Sequence, residues 1–134
     1  MQKLTNKFIN HTAHIGIIGL GYVGLPLVIR FAEEGFRVTG FDVDEAKVHD
    51  IVRGRSYIKH IPNQKIKELA KNKAVGATTD FKKLKTVDAI IICVPTPLNE
   101  MREPDLQYVE TTGTVIAQHL RKGQLVSLES TTYP

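Results

Sequence analysis

The segment His14-Ile-Gly-Ile-Ile-Gly-Leu-Gly-Tyr-Val-Gly-Leu-Pro26 decides how the rest of the chain is interpreted. A short apolar run leads into three glycines spaced G-x-G-x-x-G, namely Gly19, Gly21 and Gly24. Apolar residues then recur at helical intervals as far as Glu34, which predicts a buried strand that turns directly into a helix. In such a turn Gly19 permits the tight bend, Gly21 the close approach of a ligand, and Gly24 the close packing of helix on strand.

The turn between this strand and helix is a candidate anion site. The first backbone N–H groups of a helix have no partner within the helix, and they lie at the positive end of its dipole. Such a turn is suited to a pyrophosphate. The glycine motif alone is a weak signal, so a merely glycine-rich turn is the alternative interpretation.

A second predicted strand, Phe36-Arg-Val-Thr-Gly-Phe-Asp-Val-Asp44, ends in acidic residues. Asp42 lies 23 residues after Gly19, close to the spacing of about 20 expected for a carboxylate that binds an adenosine ribose. A carboxylate there accepts hydrogen bonds from the ribose hydroxyls and repels a 2′-phosphate, which favours NAD over NADP. The alternative is a solvated acid that ends a strand.

The composition is that of an ordinary soluble globular domain. The chain has 134 residues, 42% hydrophobic and 24% charged, which is enough for one domain with a real core. No apolar run approaches the roughly 20 residues of a membrane span. One cysteine, Cys93, excludes an internal disulfide framework and suits a reducing, cytoplasmic compartment. The five histidines are scattered, so we expect no metal site.

The net charge of +4 raises the possibility of a nucleic-acid partner. Much of the excess comes from lysines between positions 65 and 85, a stretch in which Phe81 is the one aromatic residue that could stack on a base. A solvated lysine-rich face is the better account. We therefore expect neither a nucleic-acid nor a membrane partner.

The alternation of strands and helices predicts an α/β fold of Rossmann type, a doubly wound parallel sheet in a three-layer αβα arrangement with about five strands. The predicted strands cover 13–18, 37–41, 77–79, 89–94 and 125–128, and the predicted helices cover 22–34, 45–53, 62–72, 80–84 and 105–123. Residues 1–12 are expected to be a loosely packed lead-in to a nucleotide-binding domain at 13–134. Because the sequence stops where a strand passes into its loop, we expect a fragment without substrate and catalytic domains.

In such a sheet, ligands gather at the carboxyl ends of the strands. The loops expected there are 19–24, 42–47, 94–97 and 129–132. Lys47 is placed to reach the adenosine side, Thr96 to present a hydroxyl over the cofactor, and the hydroxyls at 130–132 to lie near the nicotinamide. A solvated helix lysine and locally capping hydroxyls are the alternatives.

Four motifs in order give the chain a resemblance to a known family. They are Gly19-Leu-Gly-Tyr-Val-Gly-Leu-Pro26, Cys93-Val-Pro-Thr-Pro-Leu98, Arg102-Glu-Pro-Asp105 and Glu129-Ser-Thr-Thr-Tyr-Pro134. Together they resemble the N-terminal NAD-binding domain of the UDP-glucose/GDP-mannose dehydrogenase family. The Ser-Tyr-Ile-x-x-Ile run at 56–61 and the Arg-Glu-Pro-Asp motif are closer to the branch that oxidises UDP-N-acetylhexosamines, such as the UDP-N-acetylglucosamine 6-dehydrogenases.

The resemblance implies an NAD-dependent, two-step oxidation of the C6 alcohol of a UDP-sugar to a carboxylate, as in polysaccharide biosynthesis. It also implies a full-length enzyme that is a homodimer or larger. The family's nucleophilic cysteine belongs to a Gly-rich Cys-Phe-Pro-Lys motif in a later domain, which this sequence does not contain. Cys93, in the middle of a predicted strand, is expected to be a core residue, so these 134 residues alone are expected to be inactive.

The resemblance also implies roles for individual residues. The backbone of Gly21, Tyr22 and Val23, within the Gly19–Gly24 turn, would hold the pyrophosphate. The remaining cofactor contacts would come from Asp42 and Lys47 at the adenosine ribose and from Pro95, Thr96 and Thr131 on the nicotinamide side. Glu129 and Thr131 would support catalysis near the reactive carbon, and Arg102 is a weaker candidate at the sugar entrance.

Other functions share some of these features. The first domain of a hydroxyacyl-CoA or 6-phosphogluconate dehydrogenase is the alternative within the enzymes, although neither is expected to combine Pro-Thr-Pro-Leu with Glu-Ser-Thr-Thr. A non-catalytic NAD-binding module would share every feature. The sequence does not identify the sugar.

Overall fold

A parallel five-stranded sheet lies at the centre of the structure, a computed structural model that describes residues 2–97, 100–103 and 105–129. The strands are β1 (His14–Ile18), β2 (Arg37–Phe41), β3 (Val75–Thr78), β4 (Ala89–Ile92) and β5 (Leu125–Leu128). Their order across the sheet is β3-β2-β1-β4-β5. The chain therefore adds β2 and β3 on one side of β1, and then returns to add β4 and β5 on the other side.

Helices cover both faces of this sheet. They are α1 (Gln2–Ile9), α2 (Gly24–Glu33), α3 (Glu45–Val52), α4 (Asn63–Lys71) and α5 (Gln107–His119), with a 3₁₀ helix at Phe81–Thr86. None of the helices in the described ranges combines the length and apolar character that crossing a bilayer requires. The predicted Rossmann-type, three-layer architecture with five strands is confirmed.

Two hydrophobic clusters, one on each face, explain why the central strands are continuously apolar. Ile15 and Ile17 of β1 pack with the helices α2, α3 and α4. Ile18, by contrast, belongs to the opposite cluster, together with Leu84 of the 3₁₀ helix and Ile116 of α5. Successive side chains of a strand point to opposite faces, so a strand covered on both faces needs apolar residues at nearly every position.

Several helices and strands begin or end at residues other than the predicted ones. The strands β2 and β5 have the predicted bounds, whereas β3 begins two residues early, at Val75. Strand β4 ends at Ile92 rather than at 94, although the Cys93 amide still donates to the Ile18 carbonyl at 2.7 Å. Helix α5 stops at His119 instead of 123 because Leu120 is already extended, with ψ 136°.

The expectation of a loosely packed lead-in is wrong for residues 2–12. They form α1 and a turn that pack onto the core, where the Phe8 ring lies 6.0 Å from the Phe36 ring and the His11 ring stacks on Phe36 at 4.7 Å. The signal in the sequence was the i, i+4 pair of Leu4 and Phe8, which places two apolar side chains on one helical face.

Asp88, just before β4, links α1 to the sheet through hydrogen bonds and ion pairs. One carboxylate oxygen accepts a hydrogen bond from the His14 amide at 2.8 Å, and the other contacts Lys7 at 2.9 Å and Arg121 at 3.4 Å. Burial alone would raise the pKa of Asp88, but the His14 amide and the Lys7 ammonium outweigh it and hold this pKa below its ordinary value. The side chain thus joins α1, β1 and the segment after α5.

Replacing this carboxylate is expected to destabilise the fold. Asp88→Asn keeps the shape but loses the charge that Lys7 and Arg121 face, so we expect the free energy of unfolding to fall by about 1–3 kcal/mol. Urea unfolding measures this, with Glu68→Gln on the exposed surface of α4 as the control. Because the folded pKa of Asp88 is lowered, its contribution should be complete above pH 3.8 and fade as the pH falls below it. Equal stability of Asp88→Asn and the parent chain would contradict this role.

His14 should make stability depend on pH in a higher range. Burial, and then the positive charge of Arg37, lower the pKa of His14 below 6.5, while its Nε2 pairs with the Thr39 hydroxyl at 2.7 Å. The unfolded chain therefore takes up this proton first, and the free energy of unfolding should decrease as the pH falls below 6.5.

Unfolding measured between about pH 5 and pH 7 should show a flatter profile in His14→Gln than in the parent chain. His60→Gln, on the exposed loop before α4, is the control and should keep the parent slope. An unchanged slope in His14→Gln would show that another group is responsible.

Candidate functional site

A cleft of about 820 Å³ opens at the carboxyl ends of β1, β2 and β4. It lies where the strand order reverses, between β1 and β4, which is the position at which open parallel sheets bind ligands. Its walls come from four parts of the chain, namely residues 18–23, residues 42–44 with Lys47, residues 93–96, and Phe81 together with Gln107, Tyr108, Thr111 and Thr112.

The glycines of the first turn leave no room for side chains at two positions and leave open space at the third. Gly19 has φ +95°, and a Cβ there would lie 2.6 Å from the Cys93 carbonyl oxygen. A Cβ on Gly24 would lie 1.7 Å from the Gly19 carbonyl oxygen. A Cβ on Gly21 would meet no atom within 4 Å in the part of the chain that the structure describes, and Gly21 borders the cleft. Gly19 and Gly24 therefore serve the packing, whereas Gly21 leaves open space at the edge of the cleft.

The amino end of α2 faces this cleft. The N-cap residue Val23 provides no side-chain hydrogen bond, and the amide of Leu25 bonds back to the Gly21 carbonyl at 3.1 Å. The amides of residues 22–24 precede that bond, at the positive end of a ten-residue helix. Tyr22 and Val23 line the cleft, so this end can receive an anion.

Asp42 lies at the end of β2, on the rim of the same cleft. Its carboxylate accepts hydrogen bonds from the Leu20 amide at 2.8 Å and from the Asp44 amide at 2.9 Å, one on each oxygen. These bonds fix the carboxylate relative to the glycine turn. Because each carboxylate oxygen can accept more than one hydrogen bond, Asp42 keeps acceptor capacity for hydroxyls of a ligand.

Lys47 lies in the first turn of α3, whose N-cap is Asp44. The Asp44 carboxylate accepts hydrogen bonds from the amides of Ala46 at 3.0 Å and Lys47 at 3.4 Å, which begins the helix beside the cleft. The Lys47 ammonium lies 6.0 Å from the centre of the Tyr57 ring. Lys47 also borders a side cavity of about 340 Å³ that adjoins the main cleft and is lined by Gly21, Tyr22, Ala46, Asp50, Tyr57 and Ile58.

The carboxyl end of β4 contributes Cys93, Pro95 and Thr96 to the cleft. Burial, and then the charge of Glu129, raise the pKa of Cys93 to about 11. The thiol is therefore protonated at neutral pH and is no nucleophile. Its burial agrees with the expectation of a core residue.

The remaining predicted site residues are not gathered at the cleft within the described part of the chain. Glu129 follows β5 and accepts a hydrogen bond from the Ser127 hydroxyl at 2.9 Å, and it is not among the lining residues. Arg102 is exposed and also outside the lining. Thr131, with Ser130 and Thr132, lies outside the described residues, so its role stays a prediction.

Sequence reasoning missed one wall of the cleft and one contact to the glycine turn. The wall comes from the 3₁₀ helix and α5, which contribute Phe81, Gln107, Tyr108, Thr111 and Thr112. The right-handed crossover from β4 to β5 could have placed α5 beside the cleft. The contact is the Tyr57 hydroxyl, which bonds to the Leu20 carbonyl; the Ser-Tyr-Ile-x-x-Ile run at 56–61 was used only for the family resemblance and did not predict this bond.

Comparison with known proteins agrees with this geometry. The model of the UDP-glucose/GDP-mannose dehydrogenase family, NAD binding domain, matches residues 13–134. The chain is 38% identical over 124 residues to a UDP-N-acetyl-D-glucosamine 6-dehydrogenase of Salmonella typhi, covering 90% of this chain and 27% of that protein. It is 40% identical over 123 residues to a UDP-N-acetyl-D-mannosamine dehydrogenase of Escherichia coli K12, covering 89% and 28%.

Solved structures give the same result. A GDP-mannose dehydrogenase from Pseudomonas aeruginosa, solved as a ternary complex, superposes with a TM-score of 0.84 at 33% identity, over 90% of this chain and 29% of that one. A UDP-D-ManNAc dehydrogenase from Pyrococcus horikoshii gives 0.82 at 35% identity, over 88% and 28%. The chain thus spans less than a third of the length of these relatives. It belongs to the UDP-glucose/GDP-mannose dehydrogenase family and corresponds to the NAD-binding domain of that family.

Proposed function

We propose that this chain is the cofactor-binding part of a UDP-sugar 6-dehydrogenase. The enzyme would oxidise the C6 alcohol of a UDP-N-acetylhexosamine or of UDP-glucose to the carboxylate, with two hydride transfers to NAD. The identity to dehydrogenases of UDP-N-acetyl-D-glucosamine and UDP-N-acetyl-D-mannosamine supports the first substrate class. NAD, when bound, supplies the hydride acceptor.

The residues present fit a dinucleotide. Open space at Gly21 lets a diphosphate approach the backbone, and the amides of Gly21, Tyr22 and Val23 would donate to its oxygens. Next to them, the Asp42 carboxylate would accept hydrogen bonds from the ribose hydroxyls, with Lys47 beside it. The main cleft continues past these groups to the end of β4.

The nicotinamide side would be formed by residues that follow β4 and β5. Pro95 and Thr96 line the cleft at the end of β4, and the Thr96 hydroxyl would face the cofactor. Thr131 and Glu129 would support the reaction near the sugar carbon. The buried, protonated Cys93 would take no part as a nucleophile.

The observation that carries the proposal is the position of Asp42. The backbone amides of Leu20 and Asp44 hold its two oxygens, so the carboxylate is fixed beside the turn that would hold the diphosphate. A ribose bearing free hydroxyls can bind there, whereas a 2′-phosphate would meet a negative charge that cannot easily move away. This geometry supports NAD rather than NADP.

The cellular compartment, the oligomeric state and the partners of the enzyme are also proposals. We place the enzyme in the cytoplasm as a homodimer or larger assembly, without a nucleic-acid partner. A single buried thiol suits a reducing compartment. The 3₁₀ helix exposes three lysines, namely Lys82, Lys83 and Lys85. The aromatic side chain next to them in sequence, Phe81, lines the cleft.

Replacing Asp42 should weaken the preference for NAD over NADP. In Asp42→Asn the loss of charge-assisted hydrogen bonds should weaken NAD binding about tenfold or more, and the ratio of NADP to NAD affinity should rise because the repulsion is gone. Titration calorimetry of the 134-residue chain with both cofactors measures this. Asp80→Asn is a matched control, since Asp80 caps the 3₁₀ helix with a 3.1 Å bond to the Lys82 amide. Equal affinity of the parent chain for NADP and NAD would refute the role of Asp42.

The glycines should separate binding from folding. In Gly21→Ala the new methyl group meets no atom of the described residues within 4 Å, so we expect a change in unfolding free energy within about 1 kcal/mol but at least a tenfold loss of NAD affinity. In Gly24→Ala the methyl group would collide with the Gly19 carbonyl, which should cost about 3 kcal/mol or more of stability.

Thermal unfolding and NAD titration on the same samples distinguish the two effects. Gly76→Ala on β3, also with open space around it, is the control that should leave NAD affinity unchanged. Normal NAD binding by Gly21→Ala would place the diphosphate elsewhere.

A further inference from the structure

Tyr57 reaches the glycine turn from a distant loop. It lies between α3 and α4, and its hydroxyl donates a hydrogen bond to the Leu20 carbonyl oxygen at 2.5 Å. Its neighbours hold this loop in place, because the Ser56 amide donates to Asn63 Oδ1 at 2.8 Å and the Ile58 side chain is buried. The hydroxyl is therefore presented by a fixed segment.

The surroundings keep this hydroxyl a donor. Burial raises the pKa of Tyr57 far above its ordinary value, and the negative charges of Asp42, Asp44 and Asp50 raise it further. The phenol therefore stays protonated throughout the physiological pH range. The Lys47 ammonium lies over the ring of the same residue, 6.0 Å from the ring centre.

Leu20 is held from both sides. Its amide donates to Asp42 at 2.8 Å, its carbonyl accepts from Tyr57, and its side chain is fully buried. The described residues contain no cis peptide bond, so the Leu20 carbonyl and the Gly21 N–H point in opposite directions across a planar unit. With the carbonyl directed at Tyr57, the Gly21 N–H is directed away from it.

We propose that Tyr57 is a positioning residue for the diphosphate of the cofactor, an inference that rests on the proposed NAD-binding function. Tyr57 lines the side cavity, Leu20 borders the main cleft, and Gly21 borders both, so the Leu20–Gly21 peptide lies between the two. By holding the Leu20 carbonyl, Tyr57 presents the N–H of the Leu20–Gly21 peptide to the diphosphate. If this peptide turned over, a carbonyl oxygen would face the phosphate oxygens and repel them.

The variant Tyr57→Phe tests the hydroxyl alone, since the ring that contacts Lys47 is kept. Calorimetric titrations with NAD, ADP and adenosine separate the diphosphate from the rest of the ligand. We expect Tyr57→Phe to bind NAD and ADP about three- to tenfold more weakly, as for the loss of one hydrogen bond, and to bind adenosine as the parent chain does. Thermal unfolding of the same samples verifies that the variant is folded.

Thr114→Val is the matched control. It also removes one hydroxyl that bonds to a backbone carbonyl, from Thr114 to Glu110 at 3.1 Å on α5, and Thr114 is not among the residues that line the cleft. This variant should bind all three ligands as the parent chain does.

Two results would overturn the role of Tyr57, namely unchanged NAD and ADP affinity in Tyr57→Phe, or an equal loss of adenosine affinity. If the parent chain bound ADP but not NAD, the proposed function would fail. A loss of ADP affinity in Tyr57→Phe would then still support the inference. A parent chain that bound neither ligand would refute both.

Discussion

The approach of Gly24 to the carbonyl of Gly19 is the contact on which the rest of the structure depends. A methyl group on Gly24 would lie 1.7 Å from that oxygen, so α2 can start against the end of β1 only when residue 24 has no side chain. This packing brings the first amides of α2 beside the ends of β2 and β4. The same steric requirement therefore sets both the layering of the fold and the location of the anion site.

Features that depend on neighbours in sequence were predictable. The continuous apolar runs of β1 and β4 indicated strands covered on both faces, and the two hydrophobic clusters show that cover. The spacing from Gly19 to Asp42 was informative because the carboxyl ends of adjacent parallel strands meet at one edge of the sheet. Two walls of the cleft followed from this spacing, since β1 and β2 pair directly.

Features that depend on distant contacts were not predictable in the same way. The Tyr57 hydroxyl contacts a carbonyl 37 residues away, and the loop that carries it has no hydrophobic period. The apolar face of α1 packs against Phe36, which follows β1 and α2 in the chain, so its partner could not be identified from the sequence of α1 itself. Residues of α5 border the cleft because of how the crossover packs, which depends on the assembled sheet. The role of Thr131 stays a prediction.

The environment of Cys93 has a practical consequence for chemical labelling. Maleimides and iodoacetamides react with the thiolate, and the pKa of Cys93 is raised to about 11 from an ordinary 9.0. A cysteine introduced on the surface, for example by Glu68→Cys on α4, would be both accessible and more ionised. A fluorophore can therefore be attached there selectively while the native sulfur is left in place.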